Sequence, residues 1–208
     1  MKRVVFAILA LALSAPVYAN DWSKAADILS KASVYLETAE GSCTGFVINV
    51  NARPAVKEGV KKNFVLTAAH CDGEKMFVDH VPATVVYKDS KKDLLVVEVE
   101  DLGRPALKLA AKNPKIGDPV ASYGYGLGLE RAIFRTATIS DDALYIPEAG
   151  IGGPFIVTDA QFVGGQSGGP VVNLSGEVLL IVQRGGSGVG IGVGAEIIQA
   201  AVGRFFGK

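Results

Sequence analysis

From Ser33 onward the chain reads as short apolar runs of strand length, separated by Gly, Pro, Asn and Asp: "SVYLET", "TGFVINV", "FVLTAAH", "KMFVDHV", "TVVYKD" and "DLLVVEV". That rhythm belongs to an all-β chain. A Pro- and Lys-containing stretch over 104–118 interrupts it, and a second series follows: "VASYGYG", "RAIFRTATIS", "PFIVTDA", "GPVVNL" and "EVLLIVQ". Two β units, 33–103 and 119–194, joined by a linker fit this pattern better than one long sheet. Helical spacing appears only at the two ends. Asp21 is placed to cap a short helix with Ala25, Ile28, Leu29 and Ala32 on one face, and a closing helix over 195–206 presents Ile197, Ile198, Ala201 and Phe205 to the body.

The first nineteen residues stand apart. Lys2 and Arg3 precede an apolar run from Val4 to Leu13, and Val17, Tyr18 and Ala19 end it. A positive start, a run too short for a comfortable bilayer span and small residues at the end describe a secretory signal peptide, with a retained anchor as the alternative. The expected mature chain is 20–208, exported to the periplasm or the medium. Its 21 basic and 21 acidic residues balance, which gives no reason to expect nucleic acid or an anionic membrane as partner. Cys43 and Cys71 are the only cysteines, and in an exported chain they read as one disulfide. Closing a loop of that length contributes about 3 to 4 kcal/mol on the chain-entropy account. Two Cys and two His without close pairing do not make a closed zinc site, so no metal and no cofactor are expected.

Most of the chain's twenty-five glycines fall after Gly103, in clusters such as "GYGLGL" and "GGSGVGIGVG", where they permit tight turns and close backbone approach. Gly190, Gly192 and Ala195 can be forced into a dinucleotide-binding pattern. Too little chain follows them to build the βαβ unit such a pattern serves.

Two stretches carry chemistry. In "GGQSGGP", Gly164 to Pro170, small neighbours let the chain bend so that the Ser167 hydroxyl is presented and main-chain amides converge, as an oxyanion hole requires. A glycine-rich turn with an incidental serine is the plain alternative. The same residues satisfy G-x-S-x-G, the elbow of α/β-hydrolases, but those place the histidine after the serine, whereas His70 and His80 both lie upstream. A serine hydroxyl needs a base, and neutral imidazole is suited to the task near neutral pH. His70, in "LTAAHC", follows two small residues and precedes a cysteine able to pin its loop; His80, in "FVDHVPA", reads as a surface turn residue. The histidine in turn needs a carboxylate to fix its tautomer. Asp93, immediately before the apolar run "LLVV", is the preferred candidate, with Asp72, Asp79, Asp89 and Asp101 as competitors.

"LTAAHC", "DLLVV" and "GGQSGGP", in that order, resemble the trypsin-like, chymotrypsin-fold serine peptidases. The likeness is to the bacterial secreted and HtrA-like branch, given "GSCTGFVI" before the histidine and "FIVTDAQFVGGQSGGPVVN" around the serine. The resemblance implies two perpendicular six-stranded Greek-key β-barrels with the site between them. It implies His70 as general base and acid, Asp93 as its orienting carboxylate, Ser167 as nucleophile, and the amides of Gly165 and Ser167 as the oxyanion hole. Cys43 and Cys71 match the cysteines that bridge the histidine loop in the trypsin branch. The partner would be a polypeptide substrate, cleaved by a monomer free of the membrane once the signal is removed. A silent binding protein or an esterase on the same scaffold would be the alternatives.

Departures from the family pattern shape further expectations. Gln166 stands where the zymogen-activated branch has an aspartate, and no "IVGG"-like start follows the signal; no activating cut beyond signal removal is expected. No PDZ domain, usual in HtrA relatives, is expected after the peptidase unit. By resemblance the pocket for the residue before the cleaved bond has its base near Gln161 and its walls at Val182, Gln183, Arg184 and Gly185 and at Gly190 and Gly192. Gln161 is no partner for a basic side chain, and Val182 replaces the histidine of glutamate-specific relatives. Gln183 to Gly185 should offer an edge for substrate backbone.

Overall fold

A computed structural model describes residues 21–49, 61–146 and 152–205. The expected signal peptide lies outside the described residues, as does the side chain of Phe205. Six strands, β1 (Ser33–Thr38), β2 (Gly41–Ile48), β3 (Lys62–Thr67), β4 (Phe77–Val78), β5 (Val81–Asp89) and β6 (Leu94–Glu100), close into a barrel in the order β1-β2-β3-β6-β5-β4. Six more, β7 (Pro119–Tyr125), β8 (Ala132–Leu144), β9 (Phe155–Thr158), β10 (Pro170–Val172), β11 (Val178–Gly186) and β12 (Val189–Gly194), close a second barrel in the corresponding order, β7-β8-β9-β12-β11-β10. Helix α1 (Ser23–Ala32) precedes the first barrel and α2 (Ala195–Phe205) follows the second.

The continuous apolar runs are explained by burial on both faces of the strand. On β6, Leu94 and Val96 join a cluster shared with both helices and the second barrel, whereas Leu95, Val97 and Val99 fill the first barrel's own interior. β3 divides the same way, with Phe64 and Leu66 outward to the seam and Val65 inward. The seam cluster brings Phe46 and Leu66 together with Val172 and Ile181, and is closed by Ala25, Leu29 and Ala32 of α1 and Ile198, Ala201 and Val202 of α2. Each such large side chain contributes about 1.5 to 3 kcal/mol when fully buried. Asp21 accepts from the Ser23 amide at 3.0 Å and so supports the start of α1.

The linker is itself hydrogen bonded to both barrels. Leu107 N–H donates to Val47 O at 2.8 Å, and Ala110 N–H and Lys108 O exchange bonds with Val178, each also at 2.8 Å. Two expectations change. The run "KMFVDHV" yields only the two-residue β4, because Asp79 and His80 turn the chain at φ of 45° and 65°. The glycine cluster read for its turns contains a full strand, β12, pairing with both β9 and β11. Its glycines alternate, and the face they share is where Phe162, Leu180 and Asn113 press closest. Small residues there are the inward half of a period-two pattern.

Candidate active site

β3 ends at Thr67, and a single 3-10 turn over Ala69–Cys71 carries His70 out of the barrel wall. The Cys43–Cys71 disulfide, with Cα atoms 6.1 Å apart, ties that turn to β2. Asp93 sits just before β6, 3% exposed. Its carboxylate is fully engaged: Oδ1 accepts the His70 main-chain N–H and Oδ2 contacts His70 Nδ1, both at 2.8 Å. An ionised carboxylate can only accept, so against it a neutral imidazole donates from Nδ1 and keeps its lone pair on Nε2. Of the competing acids, Asp72 pairs with Lys88, Asp79 with Arg104, and Asp89 with the amides of Lys91 and Lys92. His80 is solvent-facing, 3.7 Å from Glu37 and 3.6 Å from Glu130.

Asp93 adopts φ of 54°, a left-handed conformation that costs a non-glycine residue about 1 to 3 kcal/mol and persists where its surroundings over-determine it. Those surroundings include the second barrel. Gln183 of β11 is 2% exposed, and its Nε2 donates to Lys92 O at 2.7 Å and to Asp93 O at 3.4 Å.

Ser167 lies in the turn before β10. Gly168, at φ +80°, packs against Thr67 Oγ1 and Thr44 O so closely that a Cβ there would overlap both. The turn is tied by Gly168 N–H to Val182 O at 2.7 Å, Val182 N–H to Gly169 O at 2.9 Å and Thr44 N–H to Ser167 O at 2.8 Å. The buried Thr44 side chain links the two barrels: its hydroxyl donates to Gly165 O at 2.9 Å and accepts from Tyr125 N–H at 2.8 Å. Gln166, also 2% exposed, turns its Oε1 onto Val163 N–H at 3.0 Å. Gly164 O accepts from Leu127 N–H at 2.8 Å. A peptide's N–H and C=O point in opposite directions, so this bond turns the Gly165 amide away from Leu127. Among the described residues neither the Gly165 nor the Ser167 amide donates to another protein group. Nearby, Tyr125 meets Tyr35 edge-on at 5.5 Å, one ring from each barrel, and burial followed by the Asp79 charge pushes its phenol up from its ordinary pKa.

His70, Ser167 and Gly165 line one cavity of about 260 Å³, together with Leu36, Ser42 and the disulfide. The Ser167 hydroxyl donates to Gln183 O at 3.4 Å. Cys43, His70 and Cys71 come within metal-binding distance of one another, but both sulfurs are committed to the disulfide.

A model of the trypsin-like peptidase domain matches residues 43–179, well over half of the chain. The chain belongs to that family. It is 32% identical over 137 residues to a probable periplasmic serine endoprotease of DegP-like type from Chlamydia pneumoniae, covering 62% of this chain and 26% of that protein. The chain spans about a quarter of the length of the curated relatives it matches. Among solved structures, the serine endoprotease from Yersinia pestis superposes with a TM-score of 0.72 at 20% identity, covering 90% of this chain and 67% of that one. The HtrA-type protease AlgW, solved with a tripeptide, gives 0.75 at 19%, covering 89% and 64%. Two six-stranded barrels flanked by helices are the fold of the trypsin-like family.

The residues expected around the substrate are distributed unevenly. Val182 is buried in the second barrel, Arg184 and Gly185 are exposed on the edge of β11, and Gly190 is buried opposite Gly185. Gln161, expected at the pocket base, is exposed, and its neighbour Phe162 is buried. Gly192, expected as a wall, packs against Leu180 within the barrel. Thr44, Phe162 and the Gln183 side chain were not singled out from sequence. Their partners lie as many as 121 residues away, beyond any local pattern.

Proposed function

We propose that the chain is an exported serine endopeptidase that cleaves polypeptides through an acyl-enzyme, with His70, Asp93 and Ser167 as its triad. The observation that carries the reading is the doubly held Asp93 beneath His70, whose ring shares a cavity with Ser167. His70 Nε2 takes the Ser167 Oγ proton as the oxygen bonds to the scissile carbonyl carbon. The carbonyl oxygen becomes an oxyanion held by the Gly165 and Ser167 amides. Collapse breaks the C–N bond, and the proton on Nε2 passes to the departing amine. Water then attacks the ester, giving its proton to Nε2, and Ser167 leaves with that proton restored. Before attack the hydroxyl must swing from Gln183 O toward His70, a rotation about χ1 between staggered wells.

Export and a periplasmic or extracellular site of action are supported by the leader-like first residues and by the relatives named periplasmic. The 3.4 Å bond from Ser167 to Gln183 O favours one other reading, a binding protein whose hydroxyl never meets the imidazole. Hydrolysis of an unfolded polypeptide by the wild-type chain, lost by several orders of magnitude in Ser167→Ala, is expected for the peptidase. Equal turnover in the two proteins, or none in either, contradicts it.

A further inference from the structure

Resting on the peptidase reading, we infer that Phe162 sets substrate choice by closing the space that would take the side chain on the acyl side of the cleaved bond, so that the enzyme accepts only small residues there. β11 pairs with β10 only as far as Ile181, and the main chain of Val182 is occupied by Gly168 and Gly169. Beyond that point β11 pairs with β12 along one edge, from Arg184 to Gly186. Its other edge, with no strand on it among the described residues, runs past Ser167, whose hydroxyl reaches Gln183 O. An extended peptide pairing on that edge, with its carbonyl carbon at Ser167 Oγ, places the residue that carries this carbonyl at Gln183 O, next to the face that Gly185 and Gly190 share.

Gly185 and Gly190 are cross-strand partners, so their missing side chains leave a groove on a single face. The groove is already filled. A Cβ on Gly185 would lie 2.6 Å from Phe162 Cβ and 2.5 Å from Phe162 O, and one on Gly190 would overlap the edge of the Phe162 ring. The ring is 4% exposed and packs with Val182 and Ala160 in the second barrel's cluster. A glycine, alanine or serine side chain ends before it meets this plug. Leucine or phenylalanine cannot be seated without moving Phe162 out of a packed cluster.

The test is a series of peptides identical except for Gly, Ala, Val, Leu or Phe before the cleaved bond, assayed with the wild type, Phe162→Ala and the milder Phe162→Val. The wild type is expected to favour Ala over Phe by at least about a hundredfold in kcat/KM. Either variant that folds should narrow that ratio by about tenfold or more, through gains on Leu and Phe. Wild-type cleavage after Phe as fast as after Ala, or a ratio unmoved in the variants, overturns the role of Phe162 and leaves the peptidase reading standing. Cleavage of no peptide in the series, by any of the proteins, overturns both.

Discussion

On the first barrel's wall, Asp93 binds His70 twice at 2.8 Å and a disulfide fastens the turn that carries it. On the second barrel's wall, Ser167 has one hydroxyl contact of 3.4 Å and owes its position to main-chain bonds and to Thr44. His70 is thus held by a carboxylate and a covalent linkage, and Ser167 by the shape of a glycine-rich turn. The two walls are also not independent. Gln183 of the second barrel steadies the main chain at Asp93, and Thr44 of the first steadies the main chain at Gly165. Each barrel therefore lends the other one buried polar side chain. The sharing explains how a cleft between two separately closed sheets keeps a fixed geometry.

Breaking the charged side should have the larger effect. Asp93→Asn keeps a residue that tolerates the left-handed backbone but no longer enforces Nδ1–H on His70, and turnover is expected to fall about ten-thousandfold. Steady-state hydrolysis of one good peptide checks this. A loss below tenfold would show that another group orients the imidazole.

Breaking the uncharged side should cost less in rate and more visibly in stability. Thr44→Val leaves Gly165 O without its donor and Tyr125 N–H without its acceptor, beside the turn whose amides are proposed to hold the oxyanion. About 1 to 3 kcal/mol of stability should be lost, read by denaturant unfolding. Turnover should drop about ten- to a hundredfold through a displaced hole. Thr44→Ser, which keeps the hydroxyl, should recover most of the turnover. Were Val and Ser variants equally active, the cross-barrel bond would have no part in positioning the turn.

The same division separates what the sequence reveals from what it hides. Strand β1 coincides with the run "SVYLET" because its alternation of Val34 and Leu36 with Tyr35 and Glu37 is local. His70 and Asp93 are conspicuous because each is a polar residue at the end of an apolar strand. β12 is hidden because its inward residues are glycines, which propensity treats as strand breakers although here they admit Phe162 and Leu180. Thr44 reads as one more strand residue, and Phe162 as one more core aromatic. Their roles come from how a hairpin of one barrel abuts a turn of the other, and from which pair of glycines faces an aromatic ring. Gln166 was legible only as the absence of an aspartate, whereas in the structure its amide oxygen caps Val163 N–H with no charge at all.

The central claim is that the Ser167 hydroxyl becomes nucleophilic when it turns to His70. Treatment of the native protein with a fluorophosphonate, followed by mass spectrometry of its peptides, tests this most directly. The account predicts one adduct per chain on Ser167, none in Ser167→Ala and strongly slowed labelling in Asp93→Asn. A wild-type chain that stays unlabelled, or carries the adduct on another residue, would contradict it.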